Sequence, residues 1–409
     1  MKNSFKALIL LIAFGLVGCS STQTVVKMER IPKISRYPSA ANFKGLFGKI
    51  EILPKYDRNS NKNWQVDVRS RDLSSLDLHD RLNDLLHADF DSQTKWPDTL
   101  PEGLDTMKII ELGKDPGLNI RTLHNQGITG KGVSIAIIDQ PLLIDHKEYA
   151  NRVKFYEEIN IQKNAEAQMH GSAVLSIAAG ETIGVAPEAE IYYIAETHGT
   201  NKKQVFEWDF TYLAQSIDRI LEINKDLPND NKIRVISISV GWSQEQKGYK
   251  EVTEAVERAH KEGIFVVSSS LQDTNGLKFS GLGRDSLSDP NNLDSYEPGA
   301  FWAKRYFDGV YNLAQDTLLV PMDSRCTANP TGKDDYVFYS MGGWSWSIPY
   351  IAGLYALSCQ VDPNITPEIF WKKALDTGSI IDIKENGKIY KLGKVVDPIK
   401  LIKSLERIN

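Results

Sequence analysis

A chain of 409 residues is long enough for one large domain and a smaller N-terminal region. Apolar residues make up 41% of it and charged residues 25%, the balance of an ordinary folded protein. A net charge of −5 without any strongly basic stretch speaks against a nucleic-acid partner, and three cysteines are too few for a disulfide framework.

Lys2 and Lys6 form a short basic start, and residues 7–17 are an apolar run broken only by Gly15. That run is too short to span a bilayer and reads as the apolar part of a signal peptide. It ends in Leu16-Val17-Gly18-Cys19, which resembles a lipobox, the site where bacterial lipoproteins are lipidated on cysteine and cleaved. The resemblance implies removal of residues 1–18 and acyl chains on Cys19. Each buried methylene holds such an anchor by about 0.8 kcal/mol. The protein is therefore expected in the cell envelope, lipid-anchored to the extracytoplasmic face of a bacterial membrane.

Residues 19–65 are polar and read as a tether. Residues 66–103 read as a helical segment. Leu78, Leu82, Leu85, Leu86 and Phe90 share one face of a helix over 77–90. That segment either covers part of the following domain or is a pro-region. The break at Trp96-Pro97, Leu100-Pro101 and Gly103 sets a boundary near residue 100. The main domain is expected over 104–409.

From there the pattern is α/β. Apolar, β-branched runs at 133–138, 189–194, 234–240 and 264–267 read as buried strands. Between them, residues 212–224 carry Leu213, Ile217, Ile220 and Leu221 on one helical face. Residues 251–261 do the same with Val252, Ala255, Val256 and Ala259. Alternation of this kind predicts a mostly parallel central sheet with helices on both faces. Active sites of such sheets lie at the carboxyl ends of the strands.

Three residues there draw notice. Asp139 closes the first strand. His170, in Met169-His170-Gly171-Ser172-Ala173, opens an apolar helix; of the seven histidines only His146 has any comparable setting. Ser345, in Gly342-Gly343-Trp344-Ser345-Trp346-Ser347-Ile348-Pro349, opens another, where backbone donors favour a developing anion. Singly, an Asp at a strand end is a turn former, a His at a helix start is a surface residue, and a Ser there is an N-cap. Together they run in the order Asp, His, Ser, an order known for one class of serine protease.

These motifs resemble the subtilase family over about residues 104–400. Asp139 is followed seven residues later by His146, as in the family, although Gln140-Pro141 replaces Thr-Gly. His170-Gly171-Ser172-Ala173-Val174-Leu175 stands for His-Gly-Thr-His-Val-Ala. Gly184-Val185-Ala186-Pro187 is intact, and Ser239-Val240-Gly241 stands for the Ser-Leu-Gly that lines the substrate cleft. Gly343-Trp344-Ser345-Trp346-Ser347-Ile348-Pro349-Tyr350-Ile351-Ala352-Gly353 follows the nucleophile motif. The resemblance implies a three-layer subtilisin-like fold and a serine endopeptidase acting on extracytoplasmic polypeptides through an acyl-enzyme. Ser345 is then the nucleophile, His170 the base and Asp139 its orienting acid.

One departure concerns the oxyanion donor. The family's Ala-Ala-Gly-Asn falls on Ser269-Ser270-Leu271-Gln272, so Gln272 takes the donor's place. Asp273 cannot donate when ionised, and Asn275 is the substitute if the loop is shifted. Ser239, Val240, Gly241, Ser270 and Leu271 are expected to line the substrate cleft, with Leu271, Trp344 and Trp346 reshaping it. No cofactor is required, and calcium is a family habit without assignable ligands here. Cys326 and Cys359 can pair only if the fold brings them together. A monomer is expected, with a polypeptide substrate and the membrane as partners. The alternative is a catalytically silent subtilase domain that binds peptides or proteins.

Overall fold

The computed structural model describes residues 34–42, 48–60, 62–202 and 205–406. The expected signal region and Cys19, the expected lipidation site, lie outside these residues.

Five parallel strands make the central sheet: β1 (Ser134–Asp139), β2 (Val153–Glu158), β3 (Glu190–Ala195), β4 (Ile233–Ile238) and β5 (Phe265–Ser268). Their spatial order is β5-β4-β1-β3-β2, with Ile135 opposite both Ile191 and Val235. Every position of β1 is buried, which is why its sequence runs apolar without alternation. Helices cover both faces. The helices α2 (Thr211–Asp226) and α3 (Tyr249–Lys261) are amphipathic and bury the apolar faces expected for them. By contrast α1 (Met169–Ala179) and α4 (Trp344–Val361) pack against each other and are buried almost all round. That arrangement explains why neither sequence has an Asp, Glu, Lys or Arg.

Besides two two-stranded ribbons, the described residues form two further sheets, one of five strands and one of four. One joins Tyr296–Pro298, Lys278–Arg284, Thr317–Pro321, Lys388–Val395 and Ser379–Glu385. The other joins Arg325–Ala328, Tyr336–Tyr339, Ala88–Asp91 and Val66–Asp67.

That four-stranded sheet corrects one expectation for the N-terminal region. In place of one helix over 77–90 there is a single turn, Leu82–Leu86, followed by the strand Ala88–Asp91. The strand pairs antiparallel with Tyr336–Tyr339, setting Phe90 opposite Phe338. Leu78, Leu85 and Phe90 are buried as their spacing requires, but in a core shared with Val66, Val68, Ile109 and Phe338. Pairing across the chain outweighs a local helical period. The described part of the 19–65 span is docked and not a free tether. Ile34 bridges to Tyr156, Arg36 grips Glu158 through Nε at 3.1 and 3.0 Å, and Ala41 N–H donates to the Pro330 carbonyl at 2.8 Å.

Cys326 and Cys359 are both buried and unpaired. Among the described residues no helix is long and apolar enough to cross a membrane, and no group of three His, Cys, Asp or Glu side chains fits a metal ion.

Candidate active site

Asp139 is the last residue of β1, at the carboxyl edge of the sheet, and is only 1% exposed. Its carboxylate accepts from the Gln140 N–H at 2.8 Å, which fixes its rotamer. His170 sits in the first turn of α1, where the Nδ1 edge of its ring lies 2.7 and 2.9 Å from the two Asp139 oxygens. The helix approaches this closely because residue 171 is glycine. A Cβ there would lie 2.3 Å from the Gln140 carbonyl oxygen and 2.4 Å from the Tyr193 hydroxyl. Burial works against an imidazolium at His170, but the Asp139 carboxylate outweighs it by charge and hydrogen bond. The His170 pKa is raised as a result.

Ser345 lies in the first turn of α4 and is half-buried. Trp346 N–H donates to the Gly343 carbonyl at 2.8 Å, whereas the amides of Trp344 and Ser345 ahead of it have no acceptor within the helix and face the same way as its dipole. Its hydroxyl donates to the Ser239 carbonyl at 3.2 Å, and the Ser239 hydroxyl donates back to the Ser345 carbonyl at 3.0 Å. Among the described residues no hydrogen bond joins Ser345 to His170. The ring of Trp346, next to Ser345 in the sequence, lies 5.5 Å from the His170 ring. The sheet edge thus collects the acid, the base and the hydroxyl, with the acid–base half closed and the hydroxyl turned aside.

Ser239 and Val240 line a cleft of about 790 Å³ together with Asp139 and His170. Gly241 packs on Ser269 and Ser270. Ser270 is a buried brace: its hydroxyl accepts from Trp242 N–H at 2.8 Å and donates to the Trp242 carbonyl at 3.1 Å. Leu271 is fully buried in the main core, so the expectation that it touches substrate is corrected. The reason is local: residues 271–275 form a short helix instead of a loop, and Leu271 faces inward from its start. Gln272 is exposed in the first turn of that helix; its carbonyl accepts from Gly276 N–H at 2.9 Å, and its side-chain amide has no hydrogen-bond partner among the described residues. Asn275 is carried away from the edge, its amide 3.2 Å from His260 Nε2 on α3. Trp346 is buried between His170 and Tyr339, whereas Trp344 stands 38% exposed at the rim against Phe301.

A second acid–imidazole pair escaped the sequence reading. Fully buried Glu196, just past β3, accepts from both the backbone N–H and the ring Nδ1 of His198. His198 lines the same cleft, in a left-handed conformation at φ 57°. The Glu196 N–H in turn donates to the Asp139 carbonyl at 2.8 Å. A Glu two residues before a His carries no signal until the turn folds them together.

An aspartate–imidazole pair and a helix-borne serine at one edge of a parallel sheet are what a serine hydrolase of the α/β class requires. Residues 130–320 match the family model described as Peptidase_S8, the subtilase family. Residues 130–320 therefore carry a subtilase-family domain on the α/β fold described above. Serine protease AprX of Bacillus subtilis (strain 168) is 23% identical over 302 residues, covering 66% of each chain. Subtilisin-like protease PopC of Myxococcus xanthus (strain DK1622) is 24% identical over 270 residues, 59% of this chain and 54% of the relative. The chain thus spans slightly less than two thirds of the first relative's length and about half of the second's. The solved structure of the prenylagaramide maturation protease PagA has a TM-score of 0.47 at 13% identity, over 70% of this chain and 98% of that one.

Proposed function

We propose that this chain is a serine endopeptidase that hydrolyses extracytoplasmic polypeptides from a lipid anchor on Cys19. The observation that carries the catalytic part is the Asp139–His170 pair, closed at 2.7 Å beside the first turn of the helix bearing Ser345. In the reaction, His170 Nε2 takes the Ser345 proton as Oγ bonds to the peptide carbonyl carbon. The C–N bond then breaks, and the leaving amine takes that proton. Water repeats the sequence on the acyl-enzyme, with His170 again the base, and frees the carboxylate and Ser345. Asp139 holds the imidazole tautomer and stabilises the imidazolium. The free amides of the first turn of α4 and the Gln272 side chain are the donors offered to the oxyanion. No cofactor takes part.

For attack, the Ser345 hydroxyl must leave the Ser239 carbonyl and turn to His170. Apo geometry of this kind is often loose. The same observation favours a second reading, a silent domain that binds peptides along Ser239-Val240. A fluorophosphonate probe separates the two. The enzyme labels at Ser345, and Ser345→Ala abolishes the label. Folded wild-type protein that takes no label supports the binder. For the anchor, intact mass of the mature protein should lack residues 1–18 and include acyl chains; retention of those residues refutes it.

A further inference from the structure

The backbone that leads into Ser345 is held by an unusual set of partners. Three residues, Ser340, Met341 and Gly342, join the strand Tyr336–Tyr339 to the glycine before α4. Ser340 donates its N–H to Asp89 Oδ1 at 2.8 Å and its hydroxyl to the His87 carbonyl at 2.7 Å, and its carbonyl accepts from Ser324 N–H at 3.1 Å. The Met341 carbonyl accepts from Trp64 Nε1 at 3.1 Å. Gly342 donates its N–H to Asp323 Oδ1 at 2.8 Å, while Asp323 Oδ2 takes the Ala300 N–H at 2.7 Å. The loop has little slack, because a Cβ on Gly342 would lie 2.3 Å from the Met322 carbonyl oxygen.

Two features set this apart from ordinary loop bonding. Asp89 and Asp323 are almost wholly buried, at 2% and 5% exposure, and neither has an ion-pair partner among the described residues. Burial pushes both carboxyls up to about 7 in spite of the N–H groups they accept. Keeping two unpaired buried carboxyls is costly, and a site that holds reacting groups in place is where such a cost recurs. Moreover, Trp64, His87 and Asp89 all precede residue 130, where the subtilase match begins.

We propose that Asp323, with Asp89 and Trp64 of the N-terminal region, are positioning residues that fix the register of the Ser345 loop, so the N-terminal region is a lasting part of the active site and not a removable cover. This rests on Ser345 being the nucleophile. None of the three touches substrate; they act through the backbone at 340–342.

The test uses the full chain. The number of sites that take fluorophosphonate is titrated, and kcat is expressed per labelled site with KM measured alongside. Asp89→Ala and Asp323→Ala are expected to lower kcat per labelled site by about ten- to a hundredfold, the scale of a small displacement of reacting groups, with KM little changed. Asp89→Asn keeps an acceptor for the Ser340 N–H and should recover most of the rate. A purely structural role would lower yield and melting temperature but leave kcat per labelled site as in the wild type, and that result overturns the proposal. Should either alanine variant fail to fold, Trp64→Phe at its half-exposed position supplies the readout: a severalfold loss supports the proposal and an unchanged kcat overturns it. Folded wild-type protein without any label refutes the catalytic reading itself, and this inference falls with it. Normal labelling with unaltered variants refutes this inference alone.

Discussion

The two halves of the site are built differently. The acid–base half is rigid before any substrate arrives: Asp139 is buried at a strand end, tied by Gln140, and meets His170 through both oxygens. The serine half is held just as firmly in its backbone, yet the Ser345 hydroxyl is spent on the Ser239 carbonyl, and the Gln272 side chain has no partner among the described residues. The difference teaches that one half of this site is fixed by folding. The other half needs a ligand to bring its side chains to bear.

The sharpest way to break the comparison is to remove one member of each half. Ser345→Ala and His170→Ala should each lower kcat by about 10⁶-fold, with the double variant scarcely worse, because the residues act as a unit. Asp139→Asn should cost about 10⁴-fold while leaving the fold and Ser345 in place. These are read as kcat on a peptide substrate against the wild type. Additive losses in the double variant would separate Ser345 from His170 and count against their acting as one unit. A structure with a covalent Ser345 adduct should also show Oγ released from Ser239 and the His170 ring unmoved.

Gln272 tests the nucleophile half alone. As an oxyanion donor it is worth about 100- to 1,000-fold in kcat, since the contact is made in the transition state. Gln272→Ala should show that loss with KM nearly steady, and Gln272→Asn should retain much more. Its exposed place at a helix start gives it freedom to swing toward the cleft. Asn275→Ala should leave kcat as it is, because its amide is turned to His260. Untouched rates in both variants of an active enzyme would leave the backbone amides of α4 as the whole oxyanion hole.

Legibility follows the same division. The buried strands β1, β3, β4 and β5 and the faces of α2 and α3 could be read because each is specified by its own local apolar pattern. Asp139, His170 and Ser345 drew notice because they stand at strand and helix ends in a fixed order. The strand Ala88–Asp91 could not, since its partner lies some 250 residues away and its leucines also fit a helix. Leu271 was misjudged because the strand β5 runs into a helix that turns it inward. Asp89, Asp323 and Glu196 carry no motif at all. A buried carboxylate shows its purpose only when the N–H it serves arrives from elsewhere in the chain.

The smallest effect concerns pH, and it again separates the halves. His170 must be neutral to act as a base, so kcat/KM rises with pH through its pKa in the free enzyme. Because Asp139 raises that pKa, the midpoint should lie above the ordinary histidine value of about 6.5. Asp89 and Asp323 act instead on stability. Each ionises near 3.9 when unfolded, a typical aspartate value, and at about 7 in the folded protein. Between those values the folded state keeps protons that the unfolded state has lost, so these groups make stability fall as pH rises from about 4 to about 7 and add no further change above it. Other carboxylates pull the opposite way; Asp67, for one, is lowered by its hydrogen bond to Arg69 despite burial. The clean measurement is therefore a difference. Melting temperatures of the wild type and of Asp89→Asn, which cannot ionise, are compared across this range. The wild type should lose ground to the variant steadily from pH 4 to 7, and the gap should then stay level. A gap that is constant over the whole range would mean that Asp89 stays ionised in the fold, with its grip on Ser340 made by a carboxylate throughout.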